Sequence, residues 1–320
     1  VFMSFRTILR VSVFSIMAFL ISLPVYSGEF PTKPVRLVIP YSPGGSHDAH
    51  ARAFASVMEP YLGKPMLAVI KAGGGGSIGA SFVANAKPDG HTLILGDQQS
   101  IFVKPLLEKL PYSSKSFVPV GRINYSPLLI TVHADSPWKN LGDLLADAKK
   151  RPGKISYGAV AGLGVDQIPM ELLASKANVK FKFVPFEGGG PTWQAFLSKN
   201  IDIAPAFAST VSSHLQKGKV RVLAVTAPKR LPQLPNIPTM KEQGVDVSFA
   251  MFRTIFASSK TPKDILSKLR SAFDKGVKDK SFQSMVKRMG ERVIYMSGND
   301  FESFMRTEQS NLEMLVKKLR

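Results

Sequence analysis

One unit recurs along this chain: a β-branched apolar run, a glycine-rich turn, then a helix pattern. It reads RLVIPYSPGGSHDAHARAF at residues 36–54, KISYGAVAGLGVDQIPMELL at 154–173 and FKFVPFEGGGPTWQAFL at 181–197. A strand that feeds a helix through a tight turn builds α/β sheets, and such sheets bind ligands beyond the carboxyl ends of their strands. The unit appears in both halves of the chain. The pattern therefore predicts two α/β sheets facing one another across a cleft lined by glycine backbone from both sides, which is the geometry of a solute receptor.

The remaining periodicity fills in that plan. Val35–Ile39, Leu67–Ile70, Thr92–Leu95, Leu128–Val132, Lys154–Tyr157, Phe181–Val184, Ile201–Ala204 and Arg221–Val225 read as strands of largely parallel sheets. Between them lie amphipathic helices. Asp48–Leu62 places Ala51, Phe54, Ala55, Met58 and Leu62 on one stripe, with Asp48 favouring the helix N-terminus. Helices over Pro262–Lys278, Phe282–Met289 and Asp300–Leu319 close the chain.

A further glycine run, KAGGGGSIG at 71–79, stands between an apolar run and a helix start. Glycine leaves the amide N–H groups uncovered, so a loop of this kind opening a helix offers a place for an anion. Two other spellings share the same letters. Gly74-x-Gly76-x-x-Gly79 matches a dinucleotide fingerprint, and Asp97 falls about where that motif wants its acid. Gly75-x-Ser77-x-Gly79 matches a nucleophile elbow, and Asp202 and His214 follow in the order of a secreted α/β serine hydrolase. About a hundred residues without another histidine follow His214, whereas that fold keeps its histidine near the end. The histidines His47, His50, His91, His133 and His214 show no HExxH, and only His47 and His50 share a helix turn. Neither a metal nor a cofactor is called for.

The first residues narrow the choice. Arg6 and Arg10 precede an uncharged apolar stretch from Val11 to Leu23, followed by Val25-Tyr26-Ser27. This is the order of a secretory signal peptide, residues 1–27, and it predicts a periplasmic protein starting at Gly28. An exported protein meets no soluble nicotinamide pool. The chain has no cysteine, so no disulfide supports it and the fold rests on a buried core. Lys and Arg number 42 against 23 Asp and Glu, a formal charge of +19, which raises nucleic acid as a partner. The basic residues are nevertheless spread through helix patterns such as Lys260, Lys263, Lys268 and Arg270, with no arginine-rich arm or interleaved aromatics. They read as a solvated surface that attracts small anions or anionic lipid, with no nucleic acid.

Several stretches together carry a resemblance: FPTKPVRLVIPYSPGGSHDAHAR, AGGGGSIGASFVANAKPDGHTLILG, LPYSSKSFVPVGRI, VPFEGGGPTWQAFLSKNIDI and LQKGKVRVLAVTAPKRLPQLPNIPTMKEQG. From about Phe30 to the C-terminus the chain resembles the Bug family, the extracytoplasmic receptors of tripartite tricarboxylate transporters. The resemblance implies a type II periplasmic-binding-protein fold, two α/β domains joined by two crossing hinge segments, closing on a small carboxylate without chemistry. Domain 1 is expected at 28–124 plus 250–320 and domain 2 at 125–249, with crossings around Arg122–Leu128 and Val247–Phe252. In the family, the loops matched by Pro43, Gly44, Gly45, Ser46, His47 and Asp48 and by Gly73 to Gly79, including Gly75, Gly76 and Ser77, hold the ligand carboxylate through backbone N–H groups and bridging water. Gln98, Ser100, Ala161, Gly162 and Asp202 complete the expected ligand-binding set. The implied partners are a small carboxylate and the large and small subunits of a membrane permease, the receptor acting as a monomer.

Departures from the family pattern bear on the ligand. His47 stands where a small hydroxyl residue is common, His91 replaces a Tyr, Ala161 a Gly, Gln167 a His, and Glu187 a Lys. Asp97-Gln98-Gln99-Ser100 replaces a run of small residues. These changes suggest a ligand bearing an amino or amide donor near Asp97, Glu187 or Asp202.

Overall fold

The computed structural model describes residues 29–319; the signal-peptide reading lies outside them. β1 (Val35–Ile39) passes through the first glycine turn into α1 (Ser46–Ala55), as the first unit predicts. The expected helix Asp48–Leu62 is broken. Pro60 has no N–H with which to extend α1, and sits instead in the first turn of a short second helix, α2 (Glu59–Leu62), where that donor is not needed. β2 (Met66–Ile70), α3 (Ser77–Ala84), β3 (Thr92–Gly96) and α4 (Lys104–Leu107) follow. A long strand, β4 (Phe117–Pro127), then leads into β5 (Leu129–His133).

The middle of the chain alternates regularly: α5 (Leu141–Lys150), β6 (Ser156–Val160), α6 (Gln167–Ala177), β7 (Lys182–Phe186), α7 (Gly189–Leu197), β8 (Ile203–Ala206), α8 (Ala208–Gln216) and β9 (Val220–Val225). β10 (Ala250–Ser258) returns the chain, and α9 (Lys263–Gly276), α10 (Lys280–Arg288), β11 (Met296–Ser297) and α11 (Gly298–Leu319) end it.

Two sheets result, with strand orders β11-β4-β10-β3-β1-β2 and β7-β6-β8-β5-β9. β1 is parallel to β2 and β3, and β6 to β7 and β8. The expectation of largely parallel sheets is corrected to mixed ones: β10 runs antiparallel to β3 and β4, and β5 antiparallel to β8 and β9. The reason is connectivity. The chain crosses from β4 directly into β5 and returns from β9 into β10, and of these linking strands β5 and β10 run against the parallel set. Neither β4 nor β10 is among the strands read from the sequence. β4 carries Pro119, Gly121, Arg122 and Asn124, and its pairing with β10 slips at two points, one of them beside Pro119, which suits a residue that cannot donate to a ladder.

Each sheet is covered on both faces. Phe54, Phe273 and Phe282 fill the side under α1, α9 and α10, and Phe252, Phe256 and Phe301 the side under α3 and α11. In the second sheet Leu144, Met170 and Leu173 pack under α5 and α6, and Trp193, Phe196 and Val211 under α7 and α8. Burying each such side chain contributes about 1.5–3 kcal/mol, so both domains hold cores of their own. A small cluster of Leu128, Val165, Phe207 and Met251 joins them where the chain crosses. Among the described residues no helix is long and apolar enough to cross a membrane.

Candidate functional site

The glycine turns meet. A Cβ on Gly190 would stand 2.1 Å from the carbonyl oxygen of Pro43, and one on Gly45 3.2 Å from the nitrogen of Gly190. The turn after β1 and the turn after β7 thus approach backbone to backbone across the cleft, and a side chain on either would hold the domains apart. Gly73 to Gly76 all take positive φ, from +58 to +120, a run open only to glycine. Their neighbour is again the opposite domain: a Cβ on Gly75 would lie 2.7 Å from the carbonyl oxygen of Ala161. Hydrogen bonds cross at the same places. Gln99 Nε2 donates to Ala161 O (2.8 Å), Ser42 Oγ to Glu187 O (3.4 Å) and Ser209 N to Glu291 Oε1 (3.1 Å), while Ser46 Oγ and Ser209 Oγ lie 2.6 Å apart.

Between these contacts lies a narrow cavity with an accessible volume of about 50 Å³. The first domain contributes Tyr41, Ser42, Gly45, Ser46, His47, Asp97 and Gln99. Val160, Val165, Asp166, Gly189, Thr192, Trp193 and the stretch from Ala204 to Phe207 close it from the second, and Met251 from the crossing strand. Asp97 follows β3 directly, and its position is over-determined. Oδ1 accepts from Ser100 N (2.8 Å), Ser100 Oγ (2.8 Å) and Tyr41 Oη (2.9 Å), and Oδ2 from Tyr41 Oη (2.8 Å). Burial pushes the Asp97 carboxyl up, while these donors oppose the shift. Burial and the adjacent carboxylate push Tyr41 well above the tyrosine range, so it stays a donor. His47 Nε2 lies 3.4 Å from Asp97 Oδ2, but burial and the Arg253 charge hold the imidazole well below its usual range, so it is neutral.

On the opposite wall Asp166 precedes α6, both its oxygens accepting from Val160 N at 3.1 Å. Burial raises it to about 7, the Val160 amide opposing and the Asp97 charge adding to the rise. Under the floor lies a fully buried ion pair. Arg253 of β10 donates through Nη1 to Glu291 Oε2 (3.1 Å), Asn124 Oδ1 (3.1 Å) and Ser126 Oγ (3.0 Å), and through Nη2 to Ser46 Oγ. Its guanidinium lies over the Phe207 ring, 4.7 Å from the centroid. Burial pushes Glu291 up, but Arg253 and the bonded donors more than offset it and hold the carboxyl well below the ordinary range. Among the described residues no group of three or more metal-ligating side chains is assembled.

The residues expected from sequence divide accordingly. Gly45 and Ser46 face the cavity, while Pro43 and Gly44 form the backbone contact with Gly190. Asp48 turns away, accepting from Gly44 N (3.0 Å) and Arg52 Nε (2.6 Å). Gly76 stands against Tyr41 and Ser100 and Gly75 against Ala161 O, Gln99 and Lys104; neither they nor Ser77 line the cavity wall, and Gly162 lies against Lys104. Ser100 acts through Asp97, and Ala161 through its carbonyl. Gln98 ties the end of β3 to β10, donating to Ala250 O (2.8 Å) and accepting from Phe252 N (3.1 Å). Asp202 accepts from Ser156 N (2.7 Å) and Ser156 Oγ (2.6 Å), at the start of β6. Glu187 is exposed. His214 packs against Trp193, and among the described residues no hydrogen bond links Ser77, Asp202 and His214, so no triad stands behind the elbow spelling. Tyr41, Gln99, Asp166 and Trp193 are cavity residues that the sequence reading did not single out. Asp166 sits within the second recurring unit beyond its strand, which was the available signal.

Comparison with known proteins agrees with this geometry. Residues 50–320 match the family model described as the tripartite tricarboxylate transporter family receptor. A curated protein of Pseudomonas sp. strain P51, the UPF0065 protein in the tcbD-tcbE intergenic region, is 30% identical over 295 residues, covering 91% of this chain and 88% of that one. Among solved structures, MatC from Rhodopseudomonas palustris with bound malate shares 26% identity at a TM-score of 0.83, covering 90% of this chain and 100% of that one. An R. palustris protein with adipate shares 27% identity at a TM-score of 0.84, covering 91% and 98%. The chain is a solute-binding receptor, not an enzyme, and belongs to the tripartite tricarboxylate transporter receptor family, the family of the Bug proteins.

Proposed function

We propose that the cleft captures a small carboxylate and that the protein, exported to the periplasm by the leader ending at Ser27, delivers it to a permease of one large and one small membrane subunit. One observation carries the reading: two helix N-termini meet at one cavity. α1 opens after Gly45 and α7 after Gly188, and the N–H groups of Ser46, His47, Gly189 and Gly190 find no acceptor among the described residues. Aligned helix ends carry partial positive charge and uncovered donors, which suits an anion that only accepts. The malate and adipate in the two R. palustris relatives are small carboxylates.

Of the expected contacts, Gly45 and Ser46 are the ones assigned to the ligand. Gly75, Gly76 and Ser77 support the wall that carries Tyr41. The domains are taken as 28–124 with 250–320, and 125–249, and hinge motion at the two crossings opens the cleft by rigid-body rotation. The receptor works as a monomer without cofactor or metal.

Thermal shift on ligand-stripped protein tests the reading, with a panel of small organic acids and their methyl esters at constant ionic strength. A ligand present at a hundred times its dissociation constant adds about 2.7 kcal/mol, a melting shift of several degrees. The acids should stabilise and the esters should not. Equal stabilisation by acid and ester, or a response to sugars alone, overturns it.

A further inference from the structure

The two ends of the cavity differ in what they offer. At one end are the uncovered amides of α1 and α7, joined by the indole Nε1 of Trp193, buried and without a partner. Around Asp97 and Asp166 acceptors gather, beside the Tyr41 hydroxyl that donates to Asp97 and the unpartnered Nε2 of His47. Asp97 is fully buried, Asp166 is 6% exposed, and both line the cavity. Gln99 uses its amide N–H to reach Ala161, which leaves Oε1 fully buried and unpartnered. Asp166 Oδ1, Val160 O and Gln99 Oε1 are near neighbours, all lying within 3 Å of the position a Cβ on Gly164 would take.

Among the described residues neither aspartate is ion-paired with a Lys or Arg, although the Arg253 charge reaches Asp97 from beyond hydrogen-bond distance and favours its ionised form. Arg253 is committed to Glu291, Asn124, Ser126 and Ser46, and Lys104 to Glu108. Among the described residues His47 is the histidine paired with Asp97, 3.4 Å away and neutral. A buried carboxylate without a counter-charge is strongly unfavourable, and so is a buried acceptor left without a donor. Burial accordingly pushes both carboxyls up, and each missing partner is a donor or a cation.

We propose that the ligand is an amino carboxylate: its ammonium docks among Asp97, Asp166 and Gln99 Oε1, while its carboxylate takes the helix amides of α1 and α7. This rests on the carboxylate reading and narrows it from small organic acids to those bearing a protonated amine. An ammonium has three donors and no acceptor, which matches three acceptor side chains and leaves none of them unpaired. A plain dicarboxylate would set its second carboxylate against two others.

The test uses ligand-stripped full-length mature protein and chain-matched probes in calorimetry and thermal shift. Amino carboxylates (the protein L-amino acids, 4-aminobutanoate and 6-aminohexanoate) are compared with succinate, malate, butanoate and adipate, and with 1-aminobutane. The expected result is an amino carboxylate bound at least tenfold more tightly than its deaminated counterpart, and no response to the amine alone. Asp166→Asn, which keeps the shape and an oxygen for Val160 N, should abolish that preference. Wild-type discrimination needs no variant, so a misfolded Asp166→Asn does not remove the test. Deaminated acids bound as tightly as the amino acids, or a panel in which no amino carboxylate responds, overturn the inference; in the first case the carboxylate reading stands. Binding of 1-aminobutane as tight as that of 4-aminobutanoate overturns the carboxylate reading itself.

Discussion

The protein buries carboxylates in two adjacent places and treats them in opposite ways. Glu291, below the cleft floor, is matched by the Arg253 guanidinium and by N–H and O–H donors from Asn124, Ser126 and Ser209. Asp97 and Asp166, in the cleft wall, are hydrogen-bonded but form no ion pair with a Lys or Arg among the described residues, the Arg253 charge reaching Asp97 only from beyond hydrogen-bond distance. A buried ion satisfied within the fold is a structural element; a buried ion left uncompensated keeps part of its interaction energy for something that arrives later. The first group draws on β4, β10, α1 and the turn after α10, so it locks together the strands that cross between domains. The second sits where the two domains close.

The largest expected effect comes from breaking the matched site. Arg253→Met leaves Glu291 buried without its cation, and the loss should be about 3–5 kcal/mol, read as a shift in the chemical-denaturation midpoint at unchanged slope. The double variant Arg253→Met/Glu291→Met removes both charges and should be more stable than Arg253→Met alone. A double variant destabilised by the sum of the two single effects would mean that the pair is not coupled.

Next in size is closure. Gly190→Val drives a branched side chain into the Pro43 carbonyl, 2.1 Å from the Cβ position, yet each domain keeps its own core. Binding should fall by roughly two orders of magnitude or more, while stability falls by about 1 kcal/mol, in the usual range for a change away from the core. Small-angle scattering should report a wider molecule that no longer contracts when ligand is added. Unchanged affinity would mean that the turns do not need to touch.

The two acid sites also carry opposite pH signatures. Asp166 rises from its ordinary 3.8 to about 7 through burial, in the company of Asp97, Tyr41 and Tyr157. Between those values the folded chain holds a proton that the unfolded chain has released. Its contribution is therefore fully present below about pH 4 and is lost as pH rises through about 7. Glu291, held low, contributes above the ordinary carboxylate range and loses its contribution as pH falls below it. Unliganded wild type should lose stability between pH 4 and 7 relative to Asp166→Asn, by a few kcal/mol at most, and a saturating amino carboxylate should flatten the slope. Parallel curves for wild type and variant would remove the uncompensated charge from the argument.

How much of this was legible varies with the kind of residue. The parallel strands were, because Val35–Ile39 and Thr92–Leu95 are unbroken apolar runs between turn residues, and only their ends moved. β4 and β10 were hidden because they bury polar side chains: Asn124, Ser126 and Arg253 look like surface until β4 meets the Arg253–Glu291 pair from over a hundred positions further on, and Arg122 until it reaches Ile294 O. The glycine turns were legible as places of close approach, but not what approaches. Gly45, Gly75 and Gly190 meet the other domain's backbone first, and a ligand shares that narrow space. Asp97 was noticed because it stands out beyond a strand. Asp166 gives a weaker signal, since an acid before a helix is ordinarily a cap, whereas its side chain here accepts from Val160 N.

Asp202 separates the two ways in which an acid beside a strand can be read, and it gives the smallest expected effect. It precedes β8 and binds Ser156, the first residue of β6, whereas the cavity touches β6 at Val160, its last. Four residues of strand put about 13 Å between those points, and open α/β sheets bind at the carboxyl ends, not at the amino ends. The role that remains is local. Its carboxylate takes the Ser156 N–H and O–H, partly exposed, and hydrogen bonds to charged groups contribute roughly 1.5–3 kcal/mol when fully formed. With solvent competing, Asp202→Ala should lower stability by about 1 kcal/mol and Asp202→Asn by less, measured by denaturant titration, with affinity for any ligand of the cleft unchanged within twofold. A tenfold loss of affinity at constant stability would place a ligand group at the amino end of β6, and the cavity between Asp97 and Asp166 would then no longer be the site.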